Sequence, residues 1–92
     1  MDEQRVRRRV ILHGRVQGVF FRDWLRQRAE QRHVAGWAAN RPDGTVEAVF
    51  EGAADAVQRL LDYCRSGPPQ ARVDRIEVRQ EAPQSLSDFR VR

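Results

Sequence analysis

The chain has 92 residues and a formal net charge of +4, from 17 basic against 13 acidic side chains, with 40% apolar residues. That length suits one domain, 1–92, burying roughly 60–65% of its unfolded surface, and excludes a second. No apolar run approaches the ~20 residues of a membrane span and the charged start MDEQRVRRR has no apolar signal core, so a soluble, cytoplasmic protein with no membrane partner is expected.

Every basic residue is arginine, and residues 1–46 hold ten of them against five acids, while the rest of the chain has seven against eight. A positive half attracts anions of several kinds: nucleic acid, an anionic membrane or a small phosphorylated substrate. The sign alone does not choose among them. The lone cysteine, Cys64, makes neither an internal disulfide nor a multi-thiolate metal site, and reads as a buried structural thiol.

Residues 6–13 alternate, with Val6, Arg8, Val10 and Leu12 against Arg7, Arg9, Ile11 and His13, which is the pattern of a half-buried strand with one mixed face. On this reading the Arg-rich start, Arg5 and Arg7 to Arg9, is a solvated strand face. Gly14 to Val19 breaks the alternation. From about Phe21 the positions Phe21, Trp24, Leu25 and Ala29 fall at helical spacing, with Arg26, Arg28, Glu30 and Arg32 around them, and the helix closes near His33 and Gly36.

Trp37 to Arg41 and Thr45 to Glu51 read as strands of a hairpin, joined by the RPDG turn. Val57, Leu60, Leu61 and Cys64 form the apolar stripe of a second helix that begins near Asp55 and is closed by SGPP. Ile76 and Val78 alternate with Glu77 and Arg79 in a fourth strand, and Phe89 and Val91 with Asp88 and Arg90 in a short fifth. Glu47, Glu51 and Asp74 are expected to solvate the open face of the sheet. The order is βαββαβ with an extra C-terminal strand. Two one-faced helices on one side of an antiparallel sheet make an α+β, ferredoxin-like sandwich. That fold hosts many functions, so function must come from the site.

The informative segment is GRVQGVFFR, residues 14–22, between the first strand and the first helix. Its two glycines permit backbone angles that aim successive N–H groups into one concavity, backed by the positive end of the helix. Arg22, in the first helical turn, is electrostatically misplaced for helix stability but well placed to grip phosphate oxygens bidentately. The same spacing also fits a plain connector with a solvated arginine. Asn40, the only asparagine, ends a strand just before the turn, where asparagine serves local turn chemistry. In a ferredoxin-like topology its strand can also bring it near the loop, where an amide could both donate to and accept from a water, and where an aspartate would repel phosphate.

Other chemistries find little footing. His13 and His33 have no metal-ligand spacing with each other or with Cys64, and no metal is expected. Ser66, Ser85 and Ser87 sit in turn-like contexts without a nucleophile elbow.

Over nearly all its length the chain resembles the acylphosphatases. GRVQGVFFR fits the family pattern GxVQGVxFR, GWAANRPDGTVEAVFEG (36–52) fits GWxxNxxxGxVE, and ARVDRIEV (71–78) fits a later strand. The resemblance implies a small hydrolase that splits the carboxyl-phosphate anhydride of acyl phosphates into a carboxylate and inorganic phosphate, with no metal or cofactor. By motif position it implies that Arg22 binds the phosphoryl group together with N–H groups of the loop Arg15, Val16, Gln17, Gly18 and Val19, while Asn40 orients the attacking water. An acyl phosphate already carries a good leaving group, so positioning and charge neutralisation suffice and a substrate phosphate oxygen can take the water's proton. The implied partners are an acyl phosphate and inorganic phosphate, acted on by a monomer. The ending FRVR departs from the FxIRY seen in many members, a difference expected to bear on stability more than on activity.

Two rival readings differ in class. RNA-recognition modules share the βαββαβ order but stack bases on exposed strand aromatics; here TVEAVFE offers only Phe50, which shares its face with Val46 and Ala48 and reads as core, so no nucleic-acid partner is expected. A sensor of phosphorylated metabolites, or a detached relative of the acylphosphatase-like domain of hydrogenase-maturation carbamoyltransferases, would keep the cradle. Without zinc-finger-like cysteines or further domains, the free-standing enzyme is the favoured reading.

Overall fold

Seven elements follow one another in a computed structural model that describes residues 4–92: β1 (Arg5–Arg15), α1 (Phe21–Gln31), β2 (Ala35–Asn40), β3 (Val46–Ala53), α2 (Ala54–Ser66), β4 (Arg72–Glu81) and β5 (Phe89–Val91). Residues 1–3, part of the charged start and of the expected 1–92 domain, lie outside the described residues. The strands form one sheet in the order β4-β1-β3-β2-β5. The first four pair antiparallel and β5 adds in parallel to β2 through Gly36–Phe89, Trp37–Arg90 and Ala38–Val91. This is the ferredoxin-like sandwich that the element order implies.

One face of the sheet carries the core. Val6, Val10 and Leu12 of β1, Val46, Ala48 and Phe50 of β3, and Phe89 of β5 pack against Phe21, Leu25 and Ala29 of α1 and against Val57, Leu60, Leu61 and Cys64 of α2. Each fully buried Leu, Val or Phe contributes about 1.5–3 kcal/mol by leaving water, and the strand and helix periods align these side chains on one surface. Phe50 is core, as its companions Val46 and Ala48 imply. Cys64 is fully buried, and burial pushes its thiol pKa up, away from the reactive thiolate.

The opposite face corrects the sequence reading of its charges. Arg7 is only 3% exposed and Glu51 is fully buried, so neither solvates an open face. Arg7 bonds Glu51 at 3.2 Å and Glu81 at 2.8 Å, while Arg9 bonds Glu81 at 2.8 Å and Glu47 at 2.7 Å. The physical reason lies in the segment between β4 and β5, which crosses over Glu51: the N–H groups of Gln84 and Leu86 donate to its two carboxylate oxygens, both at 2.8 Å. Alternation identifies the face but not what covers it. Arg5, by contrast, is exposed, as is Asp74.

β4 runs longer than the alternation of residues 76–79 suggests. The pairing passes from His13–Arg75 to Gly14–Val73, so Asp74 is an extra residue in a bulge. The bulge lets Val73 and Ile76 both pack against the core despite their odd spacing. Val78 lies on the edge strand and is 47% exposed.

Candidate active site

Sheet register brings the two sequence motifs to one end of the molecule. Leu12 near the end of β1 pairs with Val46 at the start of β3, and Val46 pairs in turn with Asn40 at the end of β2. The loop that leaves β1 and the residue that ends β2 therefore emerge side by side, although 22 positions separate Gly18 from Asn40. Parallel pairing carries the end of β5 to the same place.

The loop is anchored from below and from the side. Val16 and Val19 are buried, 1% and 3% exposed, and plant the loop on the core. The Gln17 side chain turns toward the hairpin, where its amide donates to the carbonyls of Arg41 at 2.8 Å and Thr45 at 2.9 Å. This strut fixes the loop against the very turn that follows Asn40. That turn is itself locked, because Asp43 accepts from the Thr45 hydroxyl at 2.6 Å and from its N–H at 3.0 Å, and these bonds lower the Asp43 pKa.

Gly18 has φ +74° with open space around its missing Cβ, so glycine is needed there for backbone conformation and not for room. Phe20 is also left-handed, at φ +61°, whereas Val19 between them is not. A left-handed residue next to a right-handed one turns neighbouring N–H groups toward one side, the backbone arrangement typical of anion-binding nests. Among the described residues, the N–H groups of Gln17, Gly18, Val19 and Phe20 donate to no protein acceptor.

Val16, Gly18, Phe20, Arg22, Asn40 and Val91 are among the walls of a single cleft of about 210 Å³. Arg22 rises from the first turn of α1 and is half-buried, and Asn40 is exposed at the cleft. Of the sequence-derived site residues, Val16, Gly18, Arg22 and Asn40 meet here. Arg15 is exposed at the end of β1 and does not line the cleft, while the side chains of Gln17 and Val19 serve as strut and anchor.

Arg22 donates to the main-chain oxygen of Arg92 at 2.5 Å. Among the described residues no Asp or Glu side chain is ion-paired with it; Asp23, which shares the cleft, is paired with Arg26 at 3.1 Å. The C-terminal residues thus touch the cleft, through Val91 in its wall and the Arg92 main-chain oxygen on Arg22. No side-chain motif announces a main-chain contact of this kind. Phe20 did leave a signal: of the two adjacent phenylalanines only Phe21 fits the helical stripe.

A family model described as acylphosphatase matches residues 8–91. An acylphosphatase of Gloeobacter violaceus is 54% identical over 86 residues, covering 94% of this chain and 92% of the relative. The fold is similar to the structure of an acylphosphatase from Coxiella burnetii, with TM-score 0.91 and 39% identity over 96% of this chain and 93% of that one. It is also similar to part of full-length HypF, solved in a phosphate- and nucleotide-bound form, with TM-score 0.90 and 25% identity; there 99% of this chain matches 12% of the larger one.

Proposed function

Because this chain belongs to the acylphosphatase family, hydrolases that act on the anhydride of acyl phosphates, we propose that Arg22, the N–H groups of the loop from Arg15 to Val19, and Asn40 carry out that hydrolysis. The observation that supports these roles is the meeting of Gly18, Arg22 and Asn40 in one cleft. The phosphoryl group sits in the loop. Its oxygens accept from the loop N–H groups and from Arg22, whose guanidinium has five N–H donors and gives one to Arg92. These donors are in place before the reaction and neutralise charge on the equatorial oxygens as the transition state forms.

Asn40 holds a water in line with the bond to be broken. The water oxygen attacks phosphorus, the bond from phosphorus to the acyl oxygen breaks, and the carboxylate leaves with the bonding pair. The water's proton passes to a phosphoryl oxygen, so the products are a carboxylate and inorganic phosphate. A neutral amide suits this position: it orients water without repelling phosphate. All of these groups come from one chain, so a monomer suffices, and activity per mole of enzyme should not change on dilution.

The test is hydrolysis of benzoyl phosphate in EDTA, followed by ultraviolet absorbance, with wild type and Asn40→Ala compared directly. The expected result is turnover by wild type and a loss of about 10²–10³-fold in kcat for a folded Asn40→Ala, the scale seen when one oriented polar group is removed. Wild-type rates in Asn40→Ala would remove the water-positioning role.

A further inference from the structure

Phe20 breaks two local rules at once. It is 79% exposed, the most exposed large apolar side chain among the described residues, and it occupies the cap of α1 with left-handed angles and no capping side chain. That position favours Ser, Thr, Asp or Asn, and left-handed angles are uncommon for a bulky residue. Departures of this kind collect at functional positions.

Its surroundings indicate the function. Phe20 and Asp23 border the phosphoryl cleft on one side and a second groove of about 460 Å³ on the other. Trp24, Pro68 and Pro69 line that second groove. Trp24 is held edge-on to Phe21 at 5.5 Å, with the Arg28 guanidinium over its ring at 4.1 Å. The proline wall is set by Gly67, at φ +68°, where a Cβ would stand 2.8 Å from the Phe21 ring, and by the turn bond from Ala71 N–H to the Pro68 carbonyl at 2.9 Å.

We propose that this shelf of Phe20, Trp24, Pro68 and Pro69 receives the acyl moiety of the substrate and selects apolar acyl groups of aromatic size. The inference rests on the reading of the adjoining cleft as the phosphoryl site, since a phosphoryl group held there leaves the acyl carbon at the border the two grooves share. An aromatic acyl group reaches across Phe20 onto the shelf, whereas an acetyl group is too short to do so. An exposed ring that would otherwise face water gains a partner only when substrate is bound.

The experiment compares benzoyl phosphate with acetyl phosphate on wild type, Phe20→Asn, Pro69→Ser and Arg22→Ala. Asparagine tolerates left-handed angles and preserves the loop, and Pro69 lies outside the loop altogether. The expected result is a fall of about three- to ten-fold in the benzoyl-to-acetyl ratio of kcat/KM in both shelf variants, expressed mainly as a higher KM for benzoyl phosphate. Arg22→Ala should lower both substrates together and leave the ratio near wild type. An unchanged ratio in both shelf variants, with Arg22→Ala still impaired, overturns the shelf and leaves the phosphoryl cleft standing. Full activity of Arg22→Ala on both substrates overturns the cleft reading and the shelf with it.

Discussion

On the face of the sheet away from the helices, Arg7 and Arg9 each lie between two carboxylate side chains; at the end where β1 and β2 emerge, Arg22 meets a main-chain oxygen of Arg92 and, among the described residues, pairs with no Asp or Glu side chain. The same residue type serves opposite ends. In the first region positive charge is neutralised internally, which makes burial of Arg7 and Glu51 tolerable. In the second, Arg22 has no Asp or Glu partner and stands beside a loop whose N–H groups donate to no protein acceptor among the described residues, the arrangement on which the proposed phosphoryl site rests. Net charge therefore says little about where arginines lack a carboxylate side-chain partner; local pairing decides it.

The sharpest way to separate the two regions is to break the buried pair. Glu51→Leu leaves the buried Arg7 with Glu81 alone and also leaves the Gln84 and Leu86 N–H groups without their acceptor. A destabilisation of about 3–5 kcal/mol is expected in urea unfolding, while the KM for benzoyl phosphate in the protein that remains folded stays near wild type. Replacing both partners, Arg7→Met with Glu51→Leu, should recover part of the loss. A large rise in KM from Glu51→Leu alone would show that the two regions are not independent.

Acid should weaken the paired region progressively. Hydrogen bonds from Arg9 and Arg7 hold the Glu81 carboxyl at about 2. At Glu51 burial pulls the pKa up but is outweighed by the Gln84 and Leu86 N–H groups and by Arg7, so it too lies below its ordinary value. A carboxyl whose folded pKa is depressed stabilises the fold above its unfolded pKa, ~4.5, and that contribution fades as pH falls through the folded value. Urea midpoints should thus be level from pH 7 to 5 and decline from pH 4.5 toward 2. A flat profile down to pH 2 would mean that the network contributes nothing to stability.

A smaller effect sharpens the receptive region. Gln17→Leu removes both bonds between the loop and the hairpin, costing about 1–2 kcal/mol in stability. It should also lower kcat about ten-fold, because the loop and Asn40 lose their fixed separation. An unchanged kcat would show that the core anchors Val16 and Val19 hold the loop unaided.

Much of this was legible in the sequence, for reasons that differ by element. The stripes of α1 and α2 and the alternation of β3 were clear because burial is one-sided in the helices and Val46, Ala48 and Phe50 share a face. Half of β4 was hidden because the bulge at Asp74 breaks the period of two. The parallel pairing of β5 depends on a long return that no local pattern encodes. Arg22 and Asn40 were readable from motif spacing. The strut of Gln17 and the contact from Arg92 were not, since both end on main-chain oxygens. The burial of Arg7 and Glu51 escaped because it depends on a distant segment, residues 82–88, that folds over them.

The division of labour between Arg22 and Asn40 is tested most directly by titrating inorganic phosphate into wild type, Arg22→Ala and Asn40→Ala by calorimetry. The account predicts that Asn40→Ala binds phosphate with wild-type affinity while Arg22→Ala loses most of its affinity. Loss of phosphate binding in Asn40→Ala with retention in Arg22→Ala would contradict it.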